Sequence, residues 1–252
     1  ARHAASGGVL ASLFSHNIGL PPVIAHGSPA LQREVVPAVL RGEKISALAI
    51  TEPGGGSDVA QLRTTARRDG DHYVVDGEKT FITSGMRADW FTVAVRTDLS
   101  SKGAGGISML LVPGDTPGIR RTKLAKMGWH CSDTAQLHFD GVRVPAHHLL
   151  GSEGAGFRII MGNFNGERFG LAAAALGFAQ ACLDEALAWA RQRKAFGAAL
   201  VEHQVLRHKL VDMQMRISST EAWLEQVAAQ GDALAAQGRA DAPEWVAQVC
   251  LL

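Results

Sequence analysis

The stretch ALAITEPGGGSDVA, residues 47–60, decides how this chain is interpreted. It opens with a short apolar run, residues 47–50, which is typical of a buried strand. The run leads into Thr51, Glu52 and Pro53, and three consecutive glycines follow. A glycine has no Cβ, so its backbone can take positive φ and let a flat or anionic ligand approach its N–H groups. The stretch therefore predicts a strand followed by a loop that can receive a ligand.

Taken alone, the glycine loop has a plainer interpretation, a tight surface turn between strands. It is not a phosphate-binding P-loop, because no Lys-Ser/Thr pair follows the glycines. The G-x-G-x-x-G spacing and the following helix of a dinucleotide-binding fingerprint are also absent. The loop needs other motifs before a ligand can be named.

Two such motifs follow: DGEKTFITSG at residues 76–85, and RKAFG at residues 193–197 with Gln204 after it. Together with TEPGGGSD at residues 51–58 they resemble the acyl-CoA dehydrogenase family of flavoenzymes, in the family's order and spacing over nearly the whole chain. The resemblance implies bound FAD. It also implies an α+β fold of N-terminal helices, a central antiparallel β domain and a C-terminal antiparallel helical bundle.

The patterning of the chain agrees with that order. Residues 1–46 are rich in Ala, Leu and Val at helical spacing and predict a helical segment, which the resemblance implies is the end of an N-terminal α domain. Residues 47–150 carry short apolar segments separated by Gly, Pro and Asp, which predicts a β domain. Residues 151–252 return to helical periodicity and predict an incomplete C-terminal helical bundle.

Within the β domain, the Asp76-Gly77 pair is a strong hairpin signal, so residues 80–83 are assigned to a return strand. Further strands are predicted at residues 90–95, 107–112, 119–124 and 135–139.

Three helices are predicted after the β domain. In the first, basic residues 191, 193 and 194 are assigned to the last turn and Gly197 to its end. In the second, apolar residues between Leu206 and Val227 alternate spacings of four and three, the seam of a bundle helix. The third is predicted to begin at Asp241, with Pro243 in its first turn.

Composition excludes several classes of function. A net charge of +1 gives no argument for nucleic-acid binding, and no apolar run of roughly 20 residues predicts a membrane span. Neither a signal peptide nor a basic leader is visible. Cys131, Cys182 and Cys250 lie far apart and fit a reducing compartment. No His/Cys group has zinc spacing, and no metal is assigned.

The chain starts at Ala1 without a methionine and stops at Leu252 in what reads as the middle of a helix. We therefore expect the sequence to be the central part of a longer protein. The resemblance implies a cytoplasmic location in a bacterium, or the mitochondrial matrix in a eukaryote.

The family oxidises the Cα–Cβ bond of an acyl-CoA thioester: a carboxylate removes the α-proton and the β-hydride passes to flavin N5. In one subgroup, which includes isovaleryl- and long-chain-type enzymes, that carboxylate lies on the first helix after the β domain. Glu167, in FNGERFG, stands at that position. The alternative is a solvated helix residue beside Arg168. By family association, this position hints at branched, long or bulky acyl groups, although chain length and branching cannot be read from the sequence.

The resemblance also implies contacts to the cofactor and the substrate. Backbone and hydroxyl donors suit the polar edge of a flavin ring, an aromatic side chain suits its face, and Arg suits the pyrophosphate. Many relatives have Trp where this chain has Phe81. Arg193, Phe196 and Gln204 would reach FAD from a neighbouring subunit. The implied FAD contacts are Leu48, Thr51, Gly56, Ser57, Phe81, Thr83, Arg193, Phe196 and Gln204. The implied substrate contacts are Ser57, Ser132 and Arg168.

The implied partners are an acyl-CoA substrate, an electron-transfer flavoprotein as acceptor, and further copies of the chain in a homodimer or homotetramer. Fatty acid and lipid metabolism is the implied setting. Two alternatives remain: a related acyl-CoA oxidase or flavin monooxygenase, and a non-catalytic scaffold. A carboxylate at residue 167 favours dehydrogenation over monooxygenation, which needs no α-proton base.

Overall fold

The computed structural model describes residues 6–101, 103–240 and 242–252, with only the backbone described for Ser15 and Asn17. Asp241, the predicted start of the last helix, lies outside the described residues. The fold is α+β, as the sequence predicts. The helices are α1 (Gly7–Gly19), α2 (Pro21–His26), α3 (Pro29–Leu40), α4 (Gly156–Gln192), α5 (Gln204–Ala236) and α6 (Pro243–Leu251).

Ten strands are present in the described residues. Eight belong to one sheet: β1 (Ser46–Ala49), β2 (Thr65–Asp69), β3 (His72–Thr83), β4 (Trp90–Arg96), β5 (Ile107–Pro113), β6 (Ile119–Lys123), β7 (Thr134–Pro145) and β8 (Leu149–Leu150). The other two, β9 (Lys194–Ala195) and β10 (Ala198–Ala199), form a small hairpin.

The N-terminal helices have clear local causes. Ser28 caps α3 by accepting a hydrogen bond from the Leu31 backbone N–H at 3.3 Å, and Pro29 occupies the first helical position. Leu31 and Val35 lie one turn apart and are buried on the same face. Beyond the end of α3, Gly42 takes a φ of 73°, the left-handed conformation that glycine commonly adopts just past the end of a helix.

The sheet runs in the order β6-β7-β3-β2-β4-β5-β8, and β1 pairs with β4 outside this path. Most of the pairing is antiparallel, but β1 pairs with β4 in parallel over four residues. β2 also meets β4 in parallel, at Thr65 and Arg96. The central sheet is therefore mixed rather than purely antiparallel, because the β2–β3 excursion brings the chain back beside β1 in the same direction.

The predicted hairpin at Asp76-Gly77 is wrong, because β3 continues through both residues. The pairing of β3 with β7 shifts register between Val75 and Gly77, so this Asp-Gly pair marks a bulge. Gly77 has a φ of 141°, and a Cβ there would lie 2.7 Å from the Thr64 Cα. The hairpin turn instead lies between β2 and β3, where Gly70 takes a φ of 62°.

Two apolar cores lie on the two faces of the sheet. One is formed by side chains such as Tyr73, Phe91 and Leu137 from neighbouring strands. The other lies between the opposite face of β5 and the helices α2, α3 and the first turns of α4, where Ile159 and Ile160 are buried. Successive residues of β5 enter opposite cores, as strand geometry requires.

Helix α4 ends differently from the prediction. It ends at Gln192, so Arg193 and Lys194 are not in its last turn. Gly197 does not cap the helix. It lies in the β9–β10 turn with a φ of 81°, a conformation that serves hairpin turns as well as helix ends.

Helix α5 confirms the predicted seam, since Ile217 and Val227 are buried on it. Helix α6 packs beside it: the Trp245 indole N–H donates to the Val227 carbonyl at 3.0 Å, and that of Trp223 donates to the Gln248 side chain at 3.1 Å. Pro243 is the first residue of α6, as predicted.

The described chain divides into two compact units, Gly7–Phe164 and one that contains Asn165–Leu252. The first unit holds the N-terminal helices together with the sheet. The predicted domain limits after residues 46 and 150 stay predictions. By length and composition alone, one described helix, α4, is apolar enough to cross a bilayer, which the sequence reading did not anticipate. A single helix of this kind is weak evidence, because core helices pass the same test.

Candidate functional site

The glycine loop closes on itself directly after β1. The Glu52 N–H donates to the Gly55 carbonyl and the Gly55 N–H donates to the Glu52 carbonyl, both at 3.0 Å. A Cβ at Gly56 would lie 2.9 Å from Thr51 Cγ2, so a larger residue there would require the Thr51 side chain to shift. A Cβ at Gly54 or Gly55 would meet nothing within 4 Å, so a ligand can approach the loop backbone from that side.

The second sequence motif lies beside this loop. The Thr80 N–H donates to the Thr51 carbonyl at 2.8 Å, which joins β3 to the chain leaving β1. The pairing of β3 with β7 is irregular between Lys79 and Ile82, and Phe81 takes a left-handed φ of 59°. Phe81 is also 69% exposed. An exposed aromatic side chain in a strained backbone conformation is a feature that functional sites retain.

Ser132 lies just before β7, which pairs with the end of β3. Thr83 pairs with Thr134, and the Ser84 N–H donates to the Asp133 carbonyl at 3.1 Å. Ser132 is buried, and its hydroxyl donates to the Asp133 carbonyl at 3.3 Å. The predicted substrate residue Ser132 thus lies two residues before Thr134, the cross-strand partner of the predicted cofactor residue Thr83.

The residues in this unit fit a flavin. The loop is open to close approach, Phe81 offers an exposed ring face, and the hydroxyls of Thr51, Ser57 and Thr83 are donors suited to a heteroaromatic edge. Leu48 is half-buried on β1, ahead of the loop. The predicted cofactor contacts on β1, the glycine loop and β3 are therefore gathered where the chain leaving β1 is hydrogen-bonded to β3.

Sequence reasoning missed a buried ion pair behind this loop. The Lys79 side chain is fully buried in β3, and its Nζ lies 2.8 Å from Glu52 Oε1 and 3.0 Å from the Ile50 carbonyl oxygen. Burial lowers the pKa of Lys79 to about 8, against the opposing effect of the Glu52 carboxylate. The pKa of Glu52 is below its usual value: burial raises it, but Lys79 and the backbone N–H groups of Arg63 and Thr64 outweigh that effect.

A cavity of about 460 Å³ adjoins the ion pair. It is lined by residues 52–55 of the loop, by Arg63 and Thr64, and by Gly77 and Glu78. Glu52 is therefore held between the closed side of the loop, where Lys79 lies, and an open side.

In the unit that contains Asn165–Leu252, Phe196 stands at the tip of the β9–β10 hairpin with a φ of 52°, and its ring is 99% exposed. The hairpin is held from behind: the Ala199 N–H donates to the Glu202 carboxylate at 2.9 Å, and His203 Nε2 lies 3.0 Å from the Ala195 carbonyl oxygen. Arg193 and Gln204 are exposed on either side of this hairpin in the sequence. The structure therefore brings the three predicted residues of this motif into one region.

Glu167 lies on α4 and is half-buried. Burial raises the pKa of its carboxyl above the ordinary value, and the Arg168 charge partly opposes the rise. The guanidinium of Arg168 donates to the buried Asn165 side chain at 3.2 Å. A carboxylate with a raised pKa is the kind of group that serves as a general base near neutral pH.

Glu167 and Arg193 lie far apart. From Glu167 to the last residue of α4, Gln192, the helix rises over 25 residues, roughly 37 Å, and Arg193 follows directly. They cannot both contact one ring system from the same chain. Among the described residues, no group of three or more His, Cys, Asp or Glu side chains could hold a metal ion.

Comparisons with known proteins agree with both motif regions. Residues 47–142 match the family described as acyl-CoA dehydrogenase, middle domain. Residues 154–245 match acyl-CoA dehydrogenase, C-terminal domain. Cyclohexane-1-carbonyl-CoA dehydrogenase of Geobacter metallireducens is 39% identical over 233 residues, 92% of this chain and 60% of that protein.

Solved structures of acyl-CoA dehydrogenases also resemble this chain in fold. An acyl-CoA dehydrogenase from Geobacillus kaustophilus superposes with a TM-score of 0.87 at 38% identity, over 90% of this chain and 60% of that one. Butyryl-CoA dehydrogenase from Megasphaera elsdenii gives a TM-score of 0.89 at 33% identity, over 98% of this chain and 63% of that one. The chain thus spans about three fifths of the length of these relatives.

Proposed function

This chain belongs to the acyl-CoA dehydrogenase family, and from that premise we propose that it oxidises the Cα–Cβ bond of an acyl-CoA thioester with FAD as cofactor. One observation carries the proposal: the Thr80–Thr51 hydrogen bond gathers the open glycine loop and the exposed Phe81 ring at one end of β1 and β3. An open glycine backbone beside an exposed aromatic ring suits the binding of a flat ring, and a plain surface turn requires neither feature.

In the unit Gly7–Phe164, the flavin ring would be held by Leu48, Thr51, Gly56, Ser57, Phe81 and Thr83. Bound FAD would supply a hydride acceptor for the β-carbon. The protein's part is to present donors to the polar edge of the ring and an aromatic face beside it. Gly56 keeps the backbone close to Thr51, and the bulge before Ile82 turns Phe81 outward.

We assign removal of the α-proton to Glu167. A general base works best when its pKa lies near the operating pH, and burial moves the Glu167 carboxyl in that direction. Arg168, which donates to Asn165, orients this part of α4 and is proposed as a substrate contact with Ser57 and Ser132. The acyl group is proposed to be branched, long or bulky, as in the subgroup with its base on this helix.

Arg193, Phe196 and Gln204 are proposed to contact the FAD of a neighbouring copy. The roughly 37 Å between Arg193 and Glu167 along α4 supports this division. The hairpin holds Phe196 out with almost no cover from its own chain, so its ring is available to another molecule. The protein would then be a homo-oligomer, a dimer or a tetramer, because FAD contacts would come from two copies.

Electrons are proposed to leave through an electron-transfer flavoprotein, in fatty acid or lipid metabolism. The location would be the cytoplasm of a bacterium or the mitochondrial matrix of a eukaryote. The relatives include the bacterial enzyme from Geobacter metallireducens.

The test is anaerobic addition of acyl-CoA thioesters to the protein reconstituted with FAD. We expect the visible flavin bands to bleach with one thioester and to stay bleached until an acceptor is added. Rapid recolouring by oxygen, with hydrogen peroxide formed, would favour an acyl-CoA oxidase. Failure of FAD to bind would contradict the proposal and favour a non-catalytic scaffold.

A further inference from the structure

We propose that the buried Glu52–Lys79 pair is a positioning device that fixes the glycine loop and the Phe81 segment in the arrangement that receives the flavin. The inference rests on the proposed function, since it assumes that the loop binds FAD. Neither residue is proposed to touch the cofactor. They act through the backbone that they hold.

The pair ties together four segments of the chain. Lys79 donates from β3 to the Ile50 carbonyl at the end of β1 and to the Glu52 carboxylate at the start of the loop. Glu52 in turn accepts from the backbone N–H groups of Arg63 at 2.6 Å and Thr64 at 2.9 Å, just before β2. Removing one side chain therefore loosens contacts among β1, the loop, the segment before β2, and β3.

The pair lies immediately beside the groups that would meet the flavin. The backbone of Glu52 closes the loop through its two hydrogen bonds with Gly55. Lys79 precedes Thr80, whose N–H bonds Thr51, and Phe81 follows. The irregular pairing that turns Phe81 outward begins at Lys79, so the ammonium anchors the last regular residue before the distortion.

Stability alone does not account for a charge pair at this place. Lys79 is fully buried, and removing an ammonium from water carries a desolvation penalty that its attraction to Glu52 only partly offsets. Apolar side chains of similar volume often give an equal or greater free energy of unfolding. What an apolar side chain cannot provide is directed hydrogen bonding to both the Ile50 carbonyl and the Glu52 carboxylate.

The sharpest variant is Lys79→Met, which keeps a long unbranched side chain and leaves Glu52 with its two backbone donors. Glu52 also lines the 460 Å³ cavity, so water can reach its carboxylate. The matched control is Lys44→Met. Lys44 pairs with Asp89 at 2.8 Å ahead of β1, at the opposite end of that strand from Glu52, and is exposed.

The readouts are the FAD dissociation constant of the reconstituted protein, the visible spectrum of the bound flavin, and the thermal midpoint. We expect Lys79→Met to stay folded, to raise the dissociation constant about tenfold, and to alter the visible bands, which report the surroundings of the ring. Lys44→Met should leave the dissociation constant and the spectrum unchanged.

An unaltered dissociation constant and spectrum in folded Lys79→Met would overturn the inference, even if wild type binds FAD and is reduced by acyl-CoA. If wild type binds no FAD, the proposed function fails and the inference fails with it. If Lys79→Met does not fold, Glu52→Gln replaces it, because the amide keeps an acceptor for Lys79 while removing the charge. The same weakened binding and altered spectrum are expected there, and wild-type values would contradict the inference.

Discussion

Replacing Glu167 with Gln separates its proposed role as a base from the alternative of a solvated helix residue. The change keeps the size of the side chain and removes its ability to take a proton. A positioned general base contributes about 10²- to 10⁴-fold to a rate. We therefore expect Glu167→Gln to bind FAD and acyl-CoA normally while flavin reduction slows by about that factor, measured by anaerobic stopped-flow absorbance.

The structure adds a stability prediction for the same variant. Burial raises the folded-state pKa of Glu167 above its ordinary value of 4.5, so its ionised form is disfavoured in the folded chain. A raised carboxyl pKa contributes stability at low pH that is lost as pH rises through the folded-state pKa. Glu167→Gln should therefore not lower the free energy of unfolding at neutral pH. Wild-type reduction should slow as pH falls through a midpoint above 4.5.

The control is Glu185→Gln, the same change at an exposed position on the same helix. It should leave the reduction rate and its pH midpoint unchanged. A wild-type reduction rate in Glu167→Gln would show that another group takes the α-proton, and the assignment would be lost. Equal slowing in both variants would point to a general effect on α4 rather than to a base.

Three further predictions concern the unit that contains the sheet. Phe81→Ala should raise the dissociation constant for FAD by about 2- to 12-fold, because that is the contribution of an aromatic contact. The measurement is a fluorescence titration, and a wild-type dissociation constant would show that Phe81 does not contact the flavin. Gly77→Ala should lower the free energy of unfolding by about 2–4 kcal/mol in a denaturant titration, because its Cβ would meet Thr64 Cα at 2.7 Å in a positive-φ backbone. Gly70 has a φ of 62° with open space around it, so Gly70→Ala should lower the free energy of unfolding by only about 1 kcal/mol. Equal losses in Gly77→Ala and Gly70→Ala would contradict the close approach of Thr64 at the bulge. The pKa of Lys79 is lowered to about 8 in the folded chain from 10.5, so the unfolded chain binds more protons than the folded chain between pH 8 and pH 10.5. In that range the free energy of unfolding of the wild type should rise with pH, relative to that of Lys79→Met, by up to about 1.4 kcal/mol per pH unit. A difference between wild type and Lys79→Met that does not change with pH would contradict the lowered pKa of Lys79.

Local patterning was sufficient for most of the fold. The apolar run at residues 47–50 became β1, and the seam along residues 206–227 became the buried stripe of α5. Both depend on contacts within a few residues or on a regular period. The Asp76-Gly77 pair misled because the same dipeptide serves a hairpin turn and a bulge. The difference depends on the approach of Thr64, which is distant in the sequence.

The RKAFG motif misled for a similar reason. A basic run followed by Gly197 suits the end of a helix, but the contacts that make it a hairpin come from Glu202 and His203 downstream. Those contacts leave Phe196 exposed, which no pattern in the motif indicates.

The candidate site was predictable only as a set of motifs. The family resemblance identified Thr51 and Phe81, and the structure joins their strands through Thr80. The Glu52–Lys79 pair was not foreseen, because its partners lie 27 residues apart and a lysine in a strand is usually exposed. Burial of a charge follows from tertiary packing, and no local period reports it.

The central claim is that this chain, once loaded with FAD, removes two hydrogens from an acyl-CoA thioester. The most direct measurement is an anaerobic titration of the FAD-bound protein with a panel of branched, long-chain and cyclic acyl-CoA thioesters. We expect at least one of them to bleach the flavin and to yield the corresponding α,β-unsaturated thioester in equal amount. A flavin that binds but stays oxidised with every thioester, while chemical reductants bleach it, would contradict that claim.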